Sequence, residues 1–348
     1  MRILEIGPYP PPHGGVQTHL VAIREYLRRR GISCAVINVT RNRQPDADEV
    51  YYPKSGLEVV KLLLRLRYDV VHLHFGGTLT ARLLALGFIC TLIPWRKVVL
   101  TFHSGGYPVS GEGRGAHRRT LRGFVFRRFD RVIGVNQQLV DLFKRLGVRP
   151  DRIRLIQPHA LSIEPAESLS PRLQRFFESH TPLLTTVGLL EPEYDLSLQI
   201  EALGAVRERF PKAGLVIIGS GSLEADLRTQ ISGKPYAQHI LLPGDVPHRE
   251  TLRVIAESDL FLRTTLYDGD SISVREALHI GVPVIATDNQ MRPSGVDLIP
   301  ASGINALRGA IERRLTNSSE RQSCGPADEQ NLEAVFELYQ ELVKETRS

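Results

Sequence analysis

The segment DLFLRTTLYDGDSISVREALHIGVPVIATD, residues 259–288, determines the fold predicted for this chain. An apolar strand opens it, a loop with Asp268 and Asp270 follows, and an amphipathic helix begins at about Ser271. Gly281 stands where a helix ends on a C-terminal glycine, and a second apolar strand comes next. Strand, helix and strand in this order predict a βαβ unit of a parallel sheet.

The same alternation continues towards the N-terminus. Apolar strands such as RILEIG (2–7), DVVHLHF (69–75) and VVLTFH (98–103) are separated by amphipathic helices, and LLTTVG (183–188) opens a second series. A chain of 348 residues exceeds what one hydrophobic core usually supports. We therefore predict an α/β protein with two doubly wound, Rossmann-like domains facing a central cleft.

A polar, proline-bearing stretch between the two series gives the domain boundaries. We place the first domain at 1–160, the linker at 161–182 and the second domain at 183–326. Residues 327–348 include a helix with apolar positions at helical spacing, which we expect to pack back on the first domain.

Charge and cysteine content restrict the partners and the compartment. The net charge of +6 favours anionic partners, but no zinc-finger spacing or RNA-recognition signature appears, so we expect no nucleic acid. Three cysteines at unrelated positions favour a reducing cytoplasm, and residues 1–7 lack the features of a signal peptide. The longest apolar run, residues 83–95, is shorter than the roughly 20 residues of a membrane-spanning helix and is interpreted as a buried helix.

Two strand ends in the first half carry candidate binding residues. Gly14 and Gly15 precede a helix, where the backbone can approach a phosphate, although an ordinary strand-to-helix turn also needs glycine. His103 directly follows a strand, and His72 and His74 end its neighbour. A neutral imidazole there could orient a ligand hydroxyl or accept a proton; the alternative is a structural role.

Two helix starts in the second half could bind phosphate. GSGSLEAD (219–226) is similar to a dinucleotide fingerprint, but Glu224 replaces the third glycine, so a nicotinamide-dependent oxidoreductase is an alternative only. The amides of Ser271, Ile272 and Ser273 could hold a diphosphate, with Glu276 one turn further on.

Two other interpretations of residues 268–276 compete with a diphosphate and sugar site. Ser273 and Glu276 have the spacing of a capping box, which would make the glutamate a helix-start residue. Asp268 and Asp270 could bind a metal, but aspartate is favoured at helix N-termini, so we prefer the cap.

At these residues the chain resembles the retaining GT-B glycosyltransferases of family 4, over nearly its whole length. That family has a glutamate, seven residues, a second glutamate followed by alanine, and then a Gly-Pro strand ending in aspartate. Here the stretch has Asp268, Glu276 and Ala277, followed by GVPVIATD (281–288). The aspartate at 268 departs from the usual glutamate.

The resemblance implies a nucleotide-diphosphate sugar as donor, transfer with retention of configuration, and no metal or other cofactor. Glu276 would contact the ribose or sugar, and the amides of residues 271–273 would meet the diphosphate. Gly14 and Gly15 would close over it from the other domain, and His103 would support the reacting end of the sugar. The predicted catalytic residues are His103, Asp268 and Glu276, and the predicted substrate-binding residues are Gly14, Gly15, Gly188, Arg263, Asp270, Ser271, Ile272, Ser273 and Arg275.

One departure from the family concerns its cationic phosphate clamp. Where the family has Gly-Arg and later Lys-Gly, this chain has Gly188, Leu189, Tyr194 and Asp195. A leaving diphosphate still needs positive charge in the transition state. The candidates that we infer are Arg263, Arg275 and Arg292.

Residues 114–131, RGAHRRTLRGFVFRRFDR, combine seven arginines with apolar side chains. We interpret them as a basic amphipathic helix suited to an anionic membrane surface; the alternative is a solvated helix with its aromatics turned inward. The function expected from the sequence is a hexosyltransferase-type enzyme with a lipid-linked or saccharide acceptor, in cell-surface polysaccharide or glycolipid biosynthesis. It would be cytoplasmic or peripheral on the inner face of the membrane. A catalytically silent binding module is a further alternative, suggested by Leu189 and Tyr194.

Overall fold

The computed structural model describes residues 1–11, 14–40, 48–158, 165–267, 271–290, 292–317 and 329–347. The chain divides into two compact units. The first comprises Met1–His159 and Asp328–Ser348, and the second comprises Ala160–Ala327. Each unit contains one parallel β-sheet with helices, which confirms the predicted α/β class.

The first unit has a seven-stranded parallel sheet in the order β3-β2-β1-β4-β5-β6-β7. Its strands are β1 (Arg2–Gly7), β2 (Ser33–Asn38), β3 (Val50–Tyr51), β4 (Val70–Phe75), β5 (Lys97–Phe102), β6 (Arg131–Gly134) and β7 (Ile153–Leu155). Its helices are α1 (Gly15–Arg29), α2 (Gly56–Arg65), α3 (Ala81–Cys90), α4 (Gly111–Gly115), α5 (Leu121–Phe126), α6 (Gln137–Arg145) and the C-terminal α13 (Gln330–Arg347).

Helices cover both faces of this sheet, so all six residues of β4 are buried. Val71, Leu73 and Phe75 pack with α2, α3, α5 and α6 on one face. The alternate residues of β4 point to the other face, where α1 and α13 lie. His72 and His74 therefore lie on the face of the sheet that α1 and α13 cover.

The second unit has a six-stranded parallel sheet in the order β10-β9-β8-β11-β12-β13. Its strands are β8 (Leu183–Val187), β9 (Gly214–Ile218), β10 (Ile240–Gly244), β11 (Leu260–Arg263), β12 (Val284–Thr287) and β13 (Val296–Ile299). Its helices are α7 (Pro171–Ser179), α8 (Leu196–Arg209), α9 (Glu224–Ser232), α10 (His248–Glu257), α11 (Ile272–Ile280) and α12 (Ile304–Thr316).

Helix α13 packs on the first unit although the second unit separates it from the other elements in sequence. Its apolar stripe, which includes Leu332, Val335 and Leu342, joins the core formed with α1 and the sheet. Ion pairs flank the stripe, among them Arg131 with Glu345 at 2.6 Å. Packing of an amphipathic face explains why this segment is helical.

The prediction of one amphipathic helix over 114–131 is wrong. The stretch forms the end of α4 and the separate α5, because Thr120 begins a new helix by accepting a hydrogen bond from the amide of Gly123 at 3.2 Å. Val125, Phe126 and Phe129 are buried in the core, as the alternative explanation required, while Leu121 and Phe124 are exposed (66% and 46%).

The buried helix predicted for 83–95 is correct only in part. Helix α3 ends at Cys90, and Leu92 and Trp95 beyond it are exposed. Within the described residues, no helix combines the length and apolar character needed to cross a bilayer.

Candidate active site

The carboxyl ends of β8 and β11 meet where the strand order of the second sheet reverses. Ligands of open α/β sheets bind in the crevice at such a point. The carbonyl oxygen of Val187, at the end of β8, accepts hydrogen bonds from Arg263 Nη1 at 2.7 Å and Ser273 Oγ at 3.4 Å. The end of β11 and the first turn of α11 therefore converge on the end of β8.

Helix α11 has the predicted bounds. Ser271 is its N-cap residue, and Gly281 ends it in the left-handed conformation, with φ of 83°. The amides of the first turn belong to Ser271, Ile272 and Ser273, which are buried at this junction. The first amides of a helix have no intrahelical acceptor, so this turn is suited to an anion.

The capping-box explanation of Glu276 is wrong. Ser273 lies inside the helix, and its hydroxyl contacts Val187 O and Ser271 Oγ instead of capping the helix. The N-cap is a serine, not an aspartate. Asp268, Gly269 and Asp270 lie outside the described residues, so their roles stay predictions.

Glu276 is buried and bonded to a histidine that the sequence analysis missed. Its Oε1 lies 2.7 Å from Nε2 of His248, the first residue of α10, and the two side chains are 4% and 14% exposed. Helix α10 lies next to α11 in the fold, which brings His248 and Glu276 together although they are 28 residues apart in sequence. A histidine at a helix start gave no sequence signal beyond its position after a strand.

Arg263 and Tyr194 lie beside Gly188 at the end of β8. The Arg263 guanidinium carbon lies 4.6 Å from the centroid of the Tyr194 ring. A Cβ atom on residue 188 would come within 2.2 Å of Tyr194 Cε1 and 2.9 Å of Arg263 Nη1, so a side chain there would displace the Tyr194 ring or Arg263. Asp195, at the family's glycine position, keeps a left-handed backbone with φ of 46°.

The two other arginines inferred as phosphate cations occupy different places. Arg292 donates from Nη2 to Thr265 Oγ1 at 2.6 Å and from Nε to Thr287 O at 3.1 Å, which links the ends of β11 and β12. Arg275 lies in the first half of α11 and is partly buried. Arg263 contacts the end of β8 directly.

The first unit holds a cluster of histidines at the carboxyl ends of β4 and β5. His74 and His103 stack with ring centroids 5.6 Å apart, and His74 Nδ1 lies 3.3 Å from His103 Nε2. His19 of α1 packs edge-on to His103 at 5.2 Å. The other nitrogen of His74 lies 2.5 Å from Oε2 of Glu5, a fully buried carboxyl on β1. The predicted clustering of strand-end histidines is confirmed; Glu5 and His19 were missed.

His72 extends this cluster towards α13. Its Nδ1 lies 2.5 Å from the Tyr339 hydroxyl and its Nε2 lies 2.7 Å from Thr101 Oγ1. The Tyr339 hydroxyl also donates to Glu5 Oε1 at 3.0 Å. The last helix therefore contributes a polar group to a buried network that begins on the first strand.

Burial controls the charge of these groups. Burial, with repulsion from neighbouring histidines, lowers the pKa of His19 and of His103 well below the ordinary value, and lowers the pKa of His72 to about 4. Burial alone would raise the pKa of the Glu5 carboxyl, but the charges of and hydrogen bonds from His72 and His74 outweigh it and lower that pKa. At neutral pH the Glu5 carboxylate is therefore ionised, and the imidazoles of His19, His72 and His103 are neutral.

Within the described residues, two overlapping groups have ligand atoms close enough to hold a metal ion. One is His19, His74 and His103, and the other is Glu5, His72 and His74. His74 belongs to both, and its two nitrogens already contact His103 and Glu5. A metal ion would have to replace one of these contacts.

The glycine sites have the local structure expected of turns. Gly14 is the N-cap of α1 and Gly15 begins the helix. In 219–226, Gly221 packs against the backbone of Leu190, where a Cβ would lie 2.5 Å from its carbonyl oxygen, and Glu224 begins α9. The role of Gly14 and Gly15 towards a donor on the second unit stays a prediction.

Comparisons with known proteins agree with this architecture. The model described as Glycosyltransferase Family 4 matches residues 13–159, and the model described as Glycosyl transferases group 1 matches residues 172–330. A phosphatidyl-myo-inositol mannosyltransferase of Mycobacterium leprae is 24% identical over 92% of this chain and 89% of its own. The putative colanic acid biosynthesis glycosyltransferase WcaL of Escherichia coli is 27% identical over 69% of this chain and 60% of its own.

Solved structures share the fold. HepE of Anabaena, crystallised with UDP and glucose, superimposes with a TM-score of 0.70 at 17% identity, over 99% of this chain and 98% of its own. Sucrose-phosphate synthase of Thermosynechococcus elongatus has a TM-score of 0.63 at 17% identity, over 99% of this chain and 97% of its own.

Two tandem parallel-sheet units with a helix start at each switch point define the GT-B class of glycosyltransferases, and this chain has that fold. The chain belongs to glycosyltransferase family 4 and is a glycosyltransferase. The oxidoreductase suggested by 219–226 is excluded, because the glycosyltransferase model covers that turn.

Proposed function

We propose that the chain transfers a sugar, with retention of configuration, from a nucleotide-diphosphate sugar to a lipid-linked or saccharide acceptor in cell-surface polysaccharide or glycolipid biosynthesis. The observation that carries this proposal is the convergence of Arg263 and the first turn of α11 on Val187. A guanidinium and helix amides at one strand end suit a diphosphate. Relatives named as mannosyltransferase and colanic acid glycosyltransferase support the two acceptor classes.

In this proposal the diphosphate lies against the amides of residues 271–273, and Arg263 neutralises charge that develops on the leaving group. Glu276, held by His248, accepts hydrogen bonds from hydroxyls of the ribose or sugar. The proposal keeps the catalytic role of Asp268 and the substrate-binding role of Asp270 that were predicted from the sequence. The leaving phosphate assists deprotonation of the acceptor.

Residues of the first unit have proposed roles that come from the family resemblance. Gly14 and Gly15 would contact the donor, and neutral His103 would accept a hydrogen bond at the reacting end of the sugar. Retention by this route needs no resident metal, since Arg263 provides positive charge and His74 is engaged on both nitrogens. Metal analysis of the purified protein, and turnover after dialysis against EDTA, test this part: a loss of activity restored by one cation would contradict it.

We propose that the acceptor is presented at an anionic membrane surface that contacts the first unit. Leu121 and Phe124 on α5, and Leu92 and Trp95 in the turn after α3, are exposed apolar residues. Helices α3 and α5 lie side by side, with the rings of Phe88 and Phe124 5.9 Å apart. Arg128 lies beside these helices, with its guanidinium carbon 5.3 Å from the centroid of the Phe88 ring. Other arginines of 114–131 have structural contacts: Arg127 Nη1 donates to Arg118 O at 2.6 Å.

Apolar side chains within a basic surface suit the interface of an anionic bilayer. In this proposal the protein works in the cytoplasm, peripheral to the inner face of the membrane. Cys34 and Cys90 are buried free thiols, which agrees with a reducing compartment.

A thermal-shift screen with UDP, GDP, ADP and their sugar conjugates tests the donor class, because a ligand that binds only the native protein raises its Tm. The nucleotide sugar found this way is then incubated with lipid-linked and free saccharide acceptors, and the anomeric configuration of the product is read by NMR. An inverted product would refute retention. Nucleotide binding with neither transfer nor slow donor hydrolysis would favour the silent binding module.

A further inference from the structure

The carboxyl of Glu5 is fully buried, and the proposed chemistry does not use it directly. Three polar groups surround it: His74 Nε2 at 2.5 Å, the Tyr339 hydroxyl at 3.0 Å and His72 Nδ1 at 3.5 Å. An ionised carboxylate only accepts hydrogen bonds, so His74 and Tyr339, which are hydrogen-bonded to Glu5, each present a hydrogen to it. These two donors compensate for the buried charge.

The direction of each hydrogen bond in the network then follows from Glu5. Tyr339 donates its one hydrogen to Glu5, so it accepts from His72 Nδ1–H, and His72 Nε2 accepts from the Thr101 hydroxyl. All of these groups are satisfied by one arrangement that leaves His72 neutral.

The same reasoning applies to the hydrogen bonds that connect Glu5 to His103 through His74. When the one hydrogen of the His74 ring is on Nε2, facing Glu5, its Nδ1 is an acceptor. His103 Nε2 lies 3.3 Å from that Nδ1 and therefore donates to it. His103 is then held with hydrogen on Nε2 and a lone pair on Nδ1.

We propose that Glu5 is a positioning residue that acts through His74 to hold His103 as the Nε2–H tautomer, and that Tyr339 of α13 shares this role. The ring of His103 thereby presents Nδ1 as the atom that accepts a hydrogen bond. The catalytic role of His103 in this inference rests on the proposed function, whereas the tautomer of His103 does not depend on it. A purely structural Glu5 would stabilise the fold and leave the tautomer of His103 unspecified.

The test measures the tautomer directly. ¹⁵N-histidine-labelled protein at pH 7.5 is examined by long-range ¹H–¹⁵N correlation, with the His103 signals assigned by comparison with His103→Asn. We expect the wild-type protein to show His103 with a pyrrole-type Nε2 and a pyridine-type Nδ1. A protonated Nδ1, which His74 would induce if it donated from its own Nδ1, overturns the proposal without any variant being needed.

Glu5→Gln and Tyr339→Phe then test the source of the tautomer. Glu5→Gln turns one carboxylate oxygen into an amide donor, so we expect a mixed tautomer at His103 and a kcat at least about tenfold lower, with the donor KM within about twofold. Tyr339→Phe removes one donor and is expected to act in the same direction more weakly. An unchanged His103 tautomer in both folded variants overturns the proposal.

Glu333→Gln is the matched control, because Glu333 also lies on α13 and contacts α1 through Tyr26 and Arg30, outside the network. It should leave the His103 signals and kcat unchanged. If the wild-type protein turned over no nucleotide sugar, the proposed function would fail, while the NMR result would still decide the role of Glu5.

Discussion

The guanidinium of Arg263 lies over the ring of Tyr194, with the guanidinium carbon 4.6 Å from the ring centroid. The resemblance to family 4 places a lysine at position 194, where this chain has an aromatic ring. The positive charge at the end of β8 comes instead from the neighbouring strand β11. Stacking on the ring and the bond to Val187 O fix the orientation of this guanidinium.

Replacing Arg263 with alanine should lower kcat for sugar transfer by about 10²–10³, the usual effect of removing one group that stabilises transition-state charge. Arg263→Lys should retain part of the activity, and Tyr194→Lys in the alanine background should recover part of it. Arg228→Ala is the control, because Arg228 is exposed and pairs with Glu224 on α9. Steady-state kinetics measure the effect, and near-normal rates for alanine variants of Arg263, Arg275 and Arg292 would discard the idea of an arginine cation.

His248→Ala should weaken the site through Glu276. The variant removes the imidazole partner of a carboxylate that is 4% exposed, so we expect about 1–3 kcal/mol lower free energy of unfolding and a raised donor KM. His248→Gln retains a donor and should lose less. Urea denaturation and donor titration measure the two effects; an alanine variant as stable as the wild type, with an unchanged donor KM, contradicts the prediction.

The histidine cluster should make the first unit sensitive to acid. The folded protein holds His72 with a pKa of about 4, below the unfolded value of about 6.5, so the unfolded chain binds more protons between these values. The stabilisation is therefore present above pH 6.5 and is lost as the pH falls towards 4. Lowered pKa values of His19 and His103 act in the same direction.

Each histidine that binds a proton in the unfolded chain but not in the folded protein makes the free energy of unfolding depend on pH. Its contribution to the slope against pH is about 1.4 kcal/mol per pH unit. Urea titrations between pH 7.5 and 4.5 measure the slope. His72→Gln should reduce this slope by up to the contribution of one proton. The control His117→Asn should leave the slope unchanged, since His117 is exposed. A slope that His72→Gln leaves unchanged would show that His72 does not titrate as described.

The apolar residues exposed on α5 should contribute to membrane binding. Leu121→Ser with Phe124→Ser should reduce sedimentation with anionic vesicles by about tenfold in affinity, and added salt should weaken binding of the wild type. Leu298→Ser is the control, because Leu298 is a similarly exposed residue (53%) on β13 of the other unit. If the double variant and the control bind vesicles equally well, α5 does not contact the membrane and the prediction is wrong.

The strand and helix pattern allowed the fold to be predicted, because strands buried on both faces and amphipathic helices leave a strong periodic signal. Ser271 and Gly281 gave the bounds of α11 for the same reason. The capping box failed because the spacing of Ser273 and Glu276 does not show where the helix begins. The single helix over 114–131 failed because composition does not reveal that Thr120 starts a new helix.

The side-chain pairs in the two clusters could not be predicted from sequence. Glu276 and His248 are 28 residues apart, Glu5 and His74 are 69 apart, and Tyr339 and Glu5 are 334 apart. Such contacts depend on which helices pack together and in which register. A single sequence carries no periodicity that reports them.

The path of α13 has a consequence for biosynthesis on the ribosome. The first unit remains incomplete in the nascent chain while all of the second unit is translated, because Tyr339 and the apolar stripe of α13 follow the second unit in sequence. The surface of α1 that α13 later covers is exposed during that interval, when a chaperone or an improper partner can reach it. A chain truncated within α13 therefore has a complete second unit and a first unit that lacks part of its core.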